Sequence, residues 1–127
     1  MKLIITDRIW KHEYHVFERT FSLELLKKAA MQTIGGLGAE LKSSHKIPGT
    51  KLRKIDITSS GGAGRVVFLV IIDQNKVVLL MIRHKNDKKI GQNITIKNPH
   101  FSRVLEKNLD LVLGDIAQNA YKEYDLV

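Results

Sequence analysis

The chain has 127 residues, 43% of them hydrophobic, with no cysteine and a net charge of +8 from 21 Lys/Arg and 13 Asp/Glu. That length suits one domain over residues 1–127 with a core of its own, and the lack of cysteine excludes disulfides and thiolate chemistry. No apolar run is long enough for a membrane span and the N-terminus lacks a basic–apolar–small signal pattern, so a soluble cytoplasmic protein is expected.

Residues 2–6 (KLIIT) read as a short strand. Asp7 is placed to cap a helix in which Trp10, Tyr14, Phe17 and Phe21 recur at helical spacing, an aromatic stripe suited to the core. His12 and His15 lack the spacing of a zinc-protease motif and a third ligand, so no metal site is expected. Ser22 suits the cap of a second helix with Leu23, Leu26, Ala30 and Ile34 on its apolar face. Gly35 and Gly36 stop or fray that helix, and residues 37–41 have the composition for one further turn.

Residues 42–50 form a polar connection with a turn at Pro48-Gly49. Residues 51–57 (KLRKIDI) read as a strand showing Lys51, Arg53, Ile55 and Ile57 on one side and Leu52, Lys54 and Asp56 on the other. The Gly-rich stretch 59–64 lacks the Gly-Lys-Ser/Thr ending of a phosphate-binding loop and precedes a strand, so it is read as a turn. Two unbroken apolar runs follow, 66–72 and 77–82, separated by Asp73-Gln74-Asn75-Lys76. Short Val/Ile/Leu runs without alternation predict a hairpin of strands covered on both faces. Pairing in that hairpin brings Arg65 near Arg83, His84 and Lys85 at one end of the sheet.

A basic loop, residues 84–92, leads to an expected short strand at 93–97 (NITIK). Asn98-Pro99 then starts a helix through Phe101, Leu105, Leu109, Val112 and Ile116, over about 98–117, with a tail beyond that is expected to fray. The expected fold is α+β: a small antiparallel-rich sheet, two N-terminal helices on one face, and a C-terminal helix.

The charge is segregated. Residues 1–41 hold six Lys/Arg and five acids, residues 42–107 fourteen and four, and residues 108–127 one and four. A basic middle segment built on the sheet points to a polyanionic partner.

The stretch KLRKIDI followed by GAGRVVFLVIIDQNKVVLLMIRHKNDKK, residues 51–89, resembles the RelE/ParE superfamily of toxins from bacterial toxin–antitoxin pairs. The resemblance implies a metal-independent endoribonuclease that needs no cofactor, cuts mRNA on the ribosome, and is neutralised by a cognate antitoxin. It implies that Lys54, Arg65 and His84 are the catalytic groups, with Arg65 on the scissile phosphate and His84 as proton donor or base. Lys51, Arg53, Arg83, Lys85, Lys88 and Lys89 would contact RNA. Several members carry a Tyr after the second basic cluster, where this chain has Lys88-Lys89-Ile90. The alternatives are therefore a ParE-like, non-enzymatic inhibitor of gyrase, or a nucleic-acid-binding module without catalysis.

Overall fold

The computed structural model describes residues 1–42 and 47–126. The fold is a small α+β one: two N-terminal helical segments, a mixed sheet and a C-terminal helix. Strand β1 is Lys2–Thr6, β2 Ala39–Leu41, β3 Thr50–Ser59, β4 Gly62–Ile71, β5 Lys76–His84 and β6 Tyr121–Asp125. They form one six-stranded sheet in the order β2-β3-β4-β5-β1-β6. β1 lies parallel to β5, and every other pairing is antiparallel.

The expected hairpin is β4–β5. Val66 to Leu69 and Val77 to Ile82 are all buried, as unbroken apolar strands require, whereas the end of the first run departs from the expectation: Val70 and Ile71 are half-buried and Ile72 is exposed in the turn after β4. Asn75 turns the chain with φ 50°, a conformation asparagine tolerates better than most residues. The pairing register shifts by one residue between Val67 and Phe68, so Val67 faces Met81 while Phe68 faces Leu79. Leu80 is thus bulged, and its carbonyl accepts from Asn108 Nδ2 at 2.7 Å.

The first helical segment runs over residues 7–17. Helix α1 is Asp7–Ile9, followed by a π-helical turn at Trp10–Tyr14 and a 3-10 turn at His15–Phe17. Thr6, not Asp7, occupies its N-cap position. The wider π turn carries both Glu13 and Tyr14 inward, which a regular aromatic stripe does not anticipate. Tyr14 donates to the Phe21 carbonyl at 2.7 Å, and burial pushes its phenol up to about 12. Helix α2 is Leu23–Ile34, capped as expected by Ser22, whose Oγ accepts from Leu25 N at 3.3 Å. Helix α3 is Pro99–Ala117, opened by Asn98, whose Oδ1 accepts from His100 N at 3.1 Å. It is pinned to α1 through buried Asp115, which accepts from Arg8 N at 2.9 Å and Arg8 Nε at 2.7 Å.

Three local expectations are corrected. The extra helical turn at 37–41 is instead the edge strand β2, because Gly36 and Gly38 take φ of 96° and 86° and turn the chain onto β3. Residues 93–97 form turns rather than a strand; Asn98 Nδ2 ties Lys89 O and Asn93 O together and folds that loop on itself. The tail does not fray: β6 pairs with β1 along five residues, and its acids meet cations, Asp125 with Lys2 and Glu123 with Lys76. The turn at Pro48-Gly49 is present, closed by Thr50 N to Ile47 O at 3.2 Å, while the rest of the expected polar connection lies partly outside the described residues.

Candidate functional site

β4 begins and β5 ends at the same edge of the sheet. Gly64 lies opposite His84 and Arg65 opposite Arg83, and Lys85 N extends the ladder to Ala63 O at 2.9 Å. Directly opposed residues share a face. Ile57, Gly64 and His84 therefore belong to one face, and Asp56, Arg65 and Arg83 to the other. Alternation places Lys54 and Lys85 with the second set.

On the first face, the His84 ring packs 5.5 Å from Phe17 and 5.3 Å from Phe21, centroid to centroid. Gly64 makes room for this stack, since a Cβ there would stand 2.6 Å from Phe21 Cζ. The second face carries a cationic cluster built on Asp56. Arg65 Nε reaches Asp56 Oδ1 at 3.2 Å and Lys85 Nζ reaches Oδ2 at 3.3 Å. One exposed carboxylate thus serves two cations, leaving an excess positive charge that an incoming anion can use.

The other expected site residues are engaged with the protein itself. Arg65 Nη1 donates to Gly91 O at 2.9 Å and Lys54 Nζ to Ile94 O at 3.0 Å. Both cations fasten the loop after β5 onto the sheet. Arg83 pairs with buried Glu13. Arg53 donates through Nη2 to the carbonyls of Gly36, Leu37 and Gly38 at 2.9–3.2 Å, closing the end of α2. Lys51, Lys88 and Lys89 are exposed, and no ion pair among the described residues holds them.

The structure therefore brings Arg65 and Lys85 together around Asp56, with Lys54 on the same face. His84 stands on the opposite face from Lys54 and Arg65. His84 and Lys85 meet across the end of the sheet, where a cleft of about 370 Å³ is lined by Gly61, Gly62, Ala63, His84, Lys85, Asn86 and Gln92. Sequence reasoning missed Asn86, Gln92 and the turn Gly61–Gly62–Ala63 as lining groups. The turn was legible as a turn; its place against His84 depends on the register of two hairpins.

The loop over this cleft is tightly specified. Asp87 accepts from the amides of Ile90 and Gly91, both at 2.9 Å. The Gly91 amide, more than any other group, holds the Asp87 carboxyl below its usual range, although partial burial opposes the shift. A Cβ on Gly91 would overlap the carbonyl oxygen of His84. Gly91→Ala is therefore expected to cost at least about 2 kcal/mol, because the obstacle is backbone and cannot rotate away. Thermal unfolding would show it, together with faster amide exchange over residues 84–92; an unchanged melting temperature would contradict the close packing.

An imidazole, an ammonium group and a glycine-rich turn around an open cleft suit binding of a phosphodiester and proton transfer at it. Among the described residues, no group of three or more His, Asp or Glu side chains has the arrangement to hold a metal ion. No helix of the described chain is long and apolar enough to cross a membrane. Against known proteins, no family model matches the chain and no curated protein matches it.

Proposed function

We propose that this protein is a toxin of the RelE/ParE kind, acting as a metal-independent endoribonuclease on mRNA at the ribosome and neutralised by a cognate antitoxin. The observation that carries the reading is the cleft at the sheet end, where His84 and Lys85 face one opening beside a glycine-rich turn. The resemblance over residues 51–89 and the basic bias of residues 42–107 support the same choice of an RNA substrate.

In the proposed reaction, the His84 imidazole takes the proton of the RNA 2′-hydroxyl. The 2′-oxygen attacks the adjacent phosphorus, the bond from phosphorus to the 5′-oxygen breaks, and a 2′,3′-cyclic phosphate is left. Lys85 offsets the charge that develops on the phosphoryl oxygens and gives a proton to the departing 5′-oxygen. Arg65 and Lys54 act as positioning residues: they hold Gly91 and Ile94, and so the loop bearing Gln92, against the sheet. The antitoxin would offer an acidic or amphipathic segment to the basic face.

Induced expression in a bacterium, with growth and mRNA 5′-ends followed together, tests the reading. Growth arrest with new 5′-ends inside translated codons is expected. Arrest with intact mRNA would move the target to a protein such as gyrase, and no arrest at all would overturn the toxin assignment.

A further inference from the structure

From residue 88 to residue 105 the chain contains no acid, while it carries Lys88, Lys89, Lys97, His100 and Arg103. All five are exposed. The fold draws the two ends of this stretch together, because Asn98 Nδ2 donates to Lys89 O at 2.8 Å and so seats the loop beside the start of α3. Among the described residues no carboxylate lies within ion-pair distance of Lys88, Lys89, Lys97 or Arg103. The surface adjoins the sheet-end cleft, since Gln92 of the same loop lines that cleft.

Helix stability does not account for these charges. Cations at a helix N-terminus add to the positive end of its dipole, and α3 has no acid in its first turn to balance them. The positive field is therefore reinforced where a stable helix would have it reduced. No Phe, Tyr or Trp is exposed in this stretch, Phe101 being fully buried, so the His100 ring is its one exposed aromatic group and successive bases have no platform of rings to stack on. Cations with a single imidazole among them suit the regular phosphate backbone of a double helix better than the stacked bases of an unpaired strand.

We propose that residues 88–103 form a second RNA-contact surface, which grips the phosphate backbone of a double-helical RNA without reading its sequence while the neighbouring cleft receives a single strand. This rests on the RNA reading above and adds the class of partner: structured RNA in which a helix lies next to the cleaved strand.

The test is fluorescence anisotropy of the full-length protein with a 2′-O-methyl RNA hairpin, which cannot be cut, over a range of salt. The double variant Lys97→Glu/Arg103→Glu should bind at least about tenfold more weakly and flatten the slope of log K against log salt by about two. Lys11→Glu/Lys28→Glu, an equal change of net charge at exposed positions elsewhere, should stay within about threefold of wild type. Equal loss in both variants, or no loss in the first, would overturn the proposal. Tighter or equal binding of an unpaired oligonucleotide of the same charge would overturn the double-helical assignment, and equal binding of poly-glutamate would overturn RNA. Cleavage is read separately. Wild-type cleavage with normal hairpin binding by the Lys97/Arg103 variant would remove the surface alone; hairpin binding lost in that variant, with no cleavage by wild type, would remove the nuclease reading alone.

Discussion

Glu13→Ala is expected to destabilise the fold by about 3–5 kcal/mol, the cost of breaking a buried ion pair from one side. The Glu13 side chain is only 5% exposed, yet it meets three donors. Its Oε1 accepts from Ile82 N at 3.0 Å and from Arg83, and its Oε2 accepts from Asn108 Nδ2 at 3.3 Å. The reason lies in the sheet. β1 pairs with β5 only as far as Val78, and beyond that point no strand among the described residues lies beside the outer edge of β5. Glu13 takes the Ile82 amide and Asn108 takes the bulged Leu80 carbonyl, so two side chains finish an edge that a strand leaves open. Removal of the carboxylate strands an amide and a guanidinium together. A fall in Tm of more than about 10 °C is expected, with Glu13→Gln falling less because it keeps an acceptor. A Glu13→Ala protein within about 1 kcal/mol of wild type would contradict this account of the edge.

On the proposed nuclease function, His84→Ala should lower RNA cleavage by about 10² to 10⁴, the usual contribution of one general acid–base group, and relieve growth arrest on expression. The fold should survive, because His84 lies at the strand end and its two lost ring contacts are together worth about 1–3 kcal/mol. Lys54→Met should behave differently. It removes the bond to Ile94 O, loosens the loop and reduces the rate by a smaller factor, with increased amide exchange over residues 90–94. Wild-type cleavage by His84→Ala would remove the proposed chemistry, and equal losses in both variants without any loosening of the loop would give Lys54 a direct part.

The sequence made the central hairpin plain, since β4 and β5 are apolar on both faces and bounded by polar turns. Caps at Ser22 and Asn98 and the extent of α3 were equally legible, because they rest on local chemistry. Pairings over long distances were not. YKEYD, residues 121–125, has an unremarkable local pattern, and it becomes a strand because β1 offers an edge with Lys2 and Lys76 nearby. The π turn that brings Glu13 inward has no periodic signature, since it breaks the period by which helices are read. The site was partly legible for a similar reason. That Arg65 and Lys85 gather at one sheet end follows from any antiparallel hairpin. Which cation is tied to a carbonyl, and which face His84 takes, depends on register, and the bulge at Leu80 changes that register by one residue midway.

The most direct measurement is amide chemical-shift mapping with a short 2′-O-methyl RNA. Placing the chemistry at the sheet end predicts shifts at Gly61, Gly62, Ala63, Lys85, Asn86 and Gln92, reduced in His84→Ala. Shifts centred instead on Lys51 and Arg53, in the groove those residues line with Ile34 and Ile72, would contradict it.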